Sequence, residues 1–338
     1  MTYLHELPEE IGGLIRIMPV TEYATVSSAG VPIDTPLLVF TSADLKTIDV
    51  ATAVAYPAKA ERARKNPKVG LLIEGGPSGP VISIAGMAAV QDSDLQANLD
   101  RYAAEEILLP LYSPDRVDYQ ALTRHAIWYF ARIIISVTPV RVRWWKSPAD
   151  MGRAPQEWRA PANTVYPPSD PVPPGQLSEP PKWPQSTWQD LAQEALSRRA
   201  PGHLTLVDAE GFPLPIRAHE VEACDEGFRL VMPKSVPWSS GKATLSFEGR
   251  EIFVGHATSE GAATLMRVER ALPVLPLVAD GSQVIQPKPD TKRELMRRLE
   301  HEVKRRNQEI PRMPPQPPEP TEGARLRAAA TAAYSHDH

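Results

Sequence analysis

The chain reads as a mainly β (α+β) protein: two tandem barrels of antiparallel strands with short helices, joined by a proline-rich linker. Three observations predict this. Before residue 147, six short apolar stretches alternate with turn residues and leave room for only two helices. A glycine-x-proline turn follows the first strand of each half, as Gly30-Val31-Pro32 and again as Gly211-Phe212-Pro213. Between Pro148 and Pro184 lie eleven prolines with almost no aliphatic periodicity, which describes an extended spacer.

The elements follow in order. Tyr23–Ser27 and Val31–Phe40 form a hairpin about Ser28-Ala29-Gly30. Thr47–Thr52 is a third strand, and Pro57–Lys65 is a short helix with proline in its first turn and an Asn66-Pro67 stop. Val69–Ile73 and Val81–Val90 are strands, and Asp94–Leu109 is a helix with Leu95, Leu99 and Tyr102 on one face. Trp128–Val137 and Val140–Trp145 are strands broken at Pro139. In the second half, Thr187–Ser197 is a helix, His203–Asp208 a strand, and Glu251-Ile252-Phe253-Val254-Gly255 matches Val81–Gly86. The second copy is shorter where the first has its basic helix. The expected division is a first barrel over 1–147, a linker over 148–184, a degenerate barrel with a C-terminal helix over 185–310, and a disordered tail over 311–338.

Composition narrows the function. The chain has 338 residues, 42% hydrophobic and 23% charged, with a net charge of −4, which suits a globular protein and not an electrostatic nucleic-acid binder. One cysteine, Cys224, excludes a disulfide framework and a CxxC metal site. No apolar run reaches the ~18 residues of a membrane span, and no signal peptide is evident, so a cytoplasmic location is expected. Neither a Gly-x-Gly-x-x-Gly nor a P-loop follows any strand, and no Gly-x-Ser-x-Gly or His-Glu-x-x-His is present. His125 and His256 have no ligand partner at a recognisable spacing, and no metal site is predicted.

The first block resembles the pyridoxamine 5′-phosphate oxidase-like family of flavin-binding split β-barrels. The resemblance runs through Ala24–Pro32, the strand ending Val50-Ala51-Thr52, Lys59 with Arg64–Val69, and Arg132–Trp145, covering residues 20–145. It implies a split barrel, an FMN cofactor with F420 or haem as alternatives, a pocket between two barrels, a small-molecule substrate, and either a homodimer or an internal pseudo-dimer. It also implies an FMN-dependent oxidoreductase that works by hydride transfer; the alternative is a non-catalytic flavin, haem or deazaflavin carrier or sensor. By the same resemblance, Pro36, Leu37, Val50, Ala51 and Thr52 line the ring. The residues point to the phosphate independently: Lys59 and Arg62 share one face at a helix start, where a dianion binds well. Pro57 departs from the family, whose members commonly carry a hydroxyl or a base two positions before the lysine.

Overall fold

The computed structural model describes residues 3–18, 20–76, 78–105, 126–179, 186–234, 236, 240–261, 263–272 and 289–336. Its first sheet comprises β1 (Val20–Val26), β2 (Pro32–Thr41), β3 (Ile48–Ala53), β4 (Lys68–Glu74), β5 (Val81–Gln91), β6 (Arg132–Trp145) and β7 (Gln156–Arg159). The order is β3-β2-β1-β4-β5-β6-β7, and a further β3–β6 pairing closes six strands into an antiparallel barrel. Alternation fills its interior with Val39, Val50, Leu71, Ile82, Ile84, Ile133 and Ile135, each fully buried. A helix the sequence reading did not foresee, α1 (Glu9–Ile17), adds Ile11, Leu14 and Ile15 to this core.

The second sheet holds β8 (Gly202–Val207), β9 (Pro213–Arg217), β10 (Glu220–Cys224), β11 (Gly227–Val231), β12 (Ser240–Phe247), β13 (Glu251–Glu260) and β14 (Ala263–Ala271). Its order is β10-β11-β14-β13-β12-β8-β9. Reading from β9, the run β9-β8-β12-β13-β14-β11 repeats β2-β1-β4-β5-β6-β3. The difference is closure. Among the described residues β9 does not pair with β11, so the second sheet is a curled half-barrel around Phe228, Phe247 and Phe253. The matched turns are alike in detail: Gly30 and Gly211 have φ of +73° and +87°, and each donates its N–H to a carbonyl three residues back, on Ser27 and Asp208.

Three expectations are corrected. Trp128–Phe130 is not strand but part of a helical turn, α4 (Ile127–Phe130). Pro139 does not break β6, because it sits at the bulge opposite Gly86, where a missing ladder donor is tolerated. The tail expected to be disordered carries α7 (Glu322–His336). The helix Asp94–Leu109 is found as α3 (Leu95–Ala104); residues 106–125, with His125, and Trp183 lie outside the described residues.

The linker and the late helix both return to the first barrel. Asp170 accepts from the N–H groups of Asp92 and Ser93, and its own N–H donates to Val90. α5 (Trp188–Ser197) covers the second sheet, but α6 (Pro289–Arg305) inserts Leu295, Leu299 and Val303 into the first core. Burying each is worth about 1.5–3 kcal/mol. Trp144 enters the first core, while its neighbour Trp145 enters the second, as strand alternation requires.

Candidate functional site: a split between strands beside a cation cluster

The β2–β3 ladder is short. Val39, Phe40 and Thr41 pair with Val50, Asp49 and Ile48, and there the described pairing ends. Beyond it, Pro36–Leu38 of β2 stay bonded only to β1, and Ala51–Ala53 of β3 only to β6. On this side the two strands are therefore left without a ladder between them, which is the split in the sheet. Pro36 and Leu37 flank it on one side, Ala51 and Thr52 on the other. Pro36 also meets the second half: a Cβ on Gly249 would lie 2.2 Å from its Cδ. Val50 and Ala51 bury their side chains on opposite faces of β3, in the barrel interior and beneath α3. Thr52 donates its hydroxyl to the Tyr56 carbonyl at 3.1 Å, which closes the turn leading out of β3.

That turn delivers α2 (Ala58–Lys65). Ala60 and Ala63 pack inward, so the helix presents two charged faces. On one, Glu61 and Arg64 are answered: Arg305 of α6 meets Glu61 at 2.5 Å, and Asp92 meets Arg64 at 2.8 Å. On the other, Lys59 and Arg62 have no carboxylate partner among the described residues. Arg62 donates from Nε to Thr25 Oγ1 at 2.8 Å. Arg132, at the start of β6, is the third cation. Its guanidinium lies 4.0 Å from the Tyr129 ring centroid and 4.7 Å from that of Tyr102, while among the described residues Nε and Nη2 have no hydrogen-bond partner. The buried Tyr102 hydroxyl also lacks one.

Electrostatics registers the crowding. Burial, then Arg62 and Arg132, lower the Lys59 ammonium to about 8. Burial lowers Arg62 to about 10, against an opposing effect from Tyr23. Lys59 and Arg62 each keep some surface in contact with solvent, so the cost is that of partly desolvated like charges. Three other buried arginines differ: Arg141 has Asp208 and Glu210, Arg306 has Asp92 and Glu302, and Arg327 has Glu105, while Arg298 is held by the carbonyls of Ala55 and Glu179.

Arg298 of α6 holds the turn from outside, donating from Nε to the Ala55 carbonyl at 2.8 Å with its guanidinium 5.3 Å from the Tyr56 ring. A separate cavity of about 680 Å³ is lined by Arg16, Ser42, Asp44, Arg101, Glu105 and Thr321. There Arg101 is already paired with Asp49. Among the described residues no group of three or more His, Cys, Asp or Glu is placed to hold a metal, and no helix is long and apolar enough to cross a membrane. His256 is exposed.

The structure thus brings Lys59 and Arg62 together and adds Arg132, Thr25, Tyr102 and Tyr129, which the sequence reading did not select. Arg132 had a legible signal, a lone cation opening an apolar strand after an aromatic run. Arg298 had none.

No protein-family description matches the chain, and no curated protein does. Solved structures do. General Stress Protein 26 from Bacillus anthracis is 17% identical, covering 47% of this chain and 100% of that one at a TM-score of 0.31. A pyridoxamine 5′-phosphate oxidase-related, FMN-binding protein from Nostoc punctiforme is 14% identical, with 46% and 98% covered and a TM-score of 0.31. An F420 reductase is 15% identical, with 42% and 100% covered and a TM-score of 0.30. These likenesses stay below 20% identity and cover less than half of this chain.

Proposed function

We propose that the first barrel binds FMN, its phosphate among Lys59, Arg62 and Arg132 and its ring in the split between β2 and β3, and that the protein is an FMN-dependent oxidoreductase. One observation carries this reading: three neighbouring cations that no carboxylate answers among the described residues, one of them, Arg132, with two unused donors. A phosphate monoester brings about −1.5 to −2 charges and three acceptor oxygens, which fits that deficit.

Each residue has a part. Lys59 supplies a point charge that is half lost at about pH 8 and complete well below it. Arg62, tied to Thr25, holds a fixed direction, and Arg132 is kept flat by the rings of Tyr102 and Tyr129. The Val50–Thr52 segment contributes main chain, because its side chains are buried or engaged. A ring lying along such edges finds amide groups for its polar rim and apolar wall for its body. When bound, the flavin supplies hydride transfer; the chain supplies orientation and exclusion of water.

The test is a visible spectrum of the purified protein and a fluorescence titration with FMN. Bound FMN, with at least tenfold weaker retention in Lys59→Met and in Arg132→Met, is the expected result. Wild-type protein that takes up no FMN, or variants that retain it unchanged, would remove the site. A haem-type Soret band would transfer the pocket to another cofactor.

A further inference from the structure

The halves meet through contacts that come in exchanged pairs. Lys68 at the start of β4 donates to the Glu210 carbonyl in the β8–β9 turn at 2.6 Å. Lys242 on β12 donates to the Ala29 carbonyl in the β1–β2 turn, also at 2.6 Å. Registering Gly86 with Gly255 by their bulges places Val69 with Ala243 and Lys68 with Lys242; the two turns likewise place Ala29 with Glu210. The two lysine contacts are one contact, made in both directions. Further along, Gly70 leaves room for the Pro213 carbonyl, which a Cβ would meet at 1.7 Å. At the matching place Thr244 donates its hydroxyl to the Pro32 carbonyl. Reciprocal contact of matched positions is what a two-fold axis imposes on a pair of like subunits.

That axis passes between Glu22 and His203. They are the matched residues of β1 and β8, and they face each other, Oε1 to Nδ1, at 3.4 Å. Two copies of the first barrel mated by this face would set Glu22 against Glu22, a buried pair of carboxylates. The histidine of the second half makes the meeting one of acid with base. Thr205 likewise reaches across to Asp34, at 3.1 Å.

We propose that the second half occupies the mating face of the first barrel in place of a second copy, so that the protein is a monomer with a single anion site per chain. Among the described residues the second half does not repeat that site, and its shorter connection carries one cation, Lys234. Residues 232–239 connect β11 to β12 where residues 54–67 connect β3 to β4, Leu206 stands where Thr25 does, and counting back from Met266 puts Gly261 where Arg132 stands. The number of sites rests on the proposed function; the monomer does not.

Light scattering on the full chain decides the monomer, with no ligand present. One chain's mass, 37.2 kDa, is expected at every concentration, and a mass of two chains overturns the proposal. Gly70→Arg, which drives a side chain against Pro213, is expected to enlarge the hydrodynamic radius and lower the thermal midpoint; an unchanged radius and midpoint overturn the seam. Saturation with FMN at one per chain supports the single site, and two per chain overturns it. Zero per chain removes the anion site, and the mass measurement still decides the monomer.

Discussion

His203 Nε2 lies 2.8 Å from Glu74 Oε2, joining β8 of the second half to β4 of the first. Glu22 from β1 faces the other ring nitrogen, Asp34 from β2 reaches the same cluster through Thr205, and Arg217 from β9 holds Glu74 at 3.3 Å. Burial alone would lower the imidazolium, but the nearby carboxylates of Glu22 and Glu74 raise it to about 10. A folded value raised from 6.5 gives stability that is complete below pH 6.5 and lost as pH climbs through about 10. Glu74 is held below its usual value, so its share is lost in acid. His203→Gln is expected to cost about 3–5 kcal/mol at pH 7, since it leaves the buried Glu22 without a cation and Glu74 with Arg217 alone. Its thermal midpoint should also fall less than that of the wild type between pH 8 and 11. Parallel curves would show that the histidine is not the titrating latch.

Asp34 works the other way. It is fully buried, its Oδ1 has no partner among the described residues, and burial followed by Glu22 pushes it well above its usual value. The folded state therefore holds a proton that the unfolded chain releases, so this group subtracts stability as pH rises from the acid range. Asp34→Asn keeps an acceptor for the Thr205 hydroxyl and has nothing to ionise. It is expected to raise stability by about 1–3 kcal/mol at pH 7 in urea unfolding. A loss instead would show that the carboxylate is ionised and required.

What the sequence could convey follows from how local each signal is. The Gly30 and Gly211 turns were legible because φ near +80° is a requirement of one residue. The face of α6 was legible from Leu295, Leu299 and Val303, but not its destination, since an apolar stripe does not say which core it enters. The split between Pro36–Leu38 and Ala51–Ala53 left no mark in composition: it is a matter of pairing register, fixed by what the rest of the barrel imposes. Lys59 and Arg62 stood out by spacing, whereas Arg132 is brought to them from far along the chain by the β3–β6 ladder, where it pairs with Ala53.

Lys59 couples affinity to stability with opposite signs. Its charged form is penalised by burial and by two neighbouring cations, and its value falls to about 8. The unfolded chain binds this proton more tightly, so stability without ligand should rise between pH 8 and 10.5 on this account. FMN affinity should do the reverse, weakening as pH passes 8 and the ammonium is lost. Lys59→Met is expected to raise the ligand-free thermal midpoint while flattening the pH dependence of FMN binding. A midpoint that drops would mean the ammonium has a stabilising partner.

The last prediction concerns the clasp that fixes α2 from behind. Glu302 is fully buried on α6; it receives Arg305 at 2.9 Å, Arg306 at 2.7 Å and the Ser178 N–H at 2.7 Å. Arg305 continues to Glu61, and Arg306 to Asp92. One carboxylate thus ties the linker, α6 and the back of α2 into a single network. Glu302→Gln keeps the shape but leaves Arg305 with Glu61 alone and Arg306 with Asp92 alone, at a cost of about 1–3 kcal/mol. Because α2 carries Lys59 on its opposite face, the same change is expected, on the proposed function, to loosen FMN while Lys59, Arg62 and Arg132 are themselves unaltered. Limited proteolysis should then cut within the 160–179 segment sooner than in the wild type, and FMN added at saturation should slow that cut. Equal cutting rates with and without FMN would separate the clasp from the anion site.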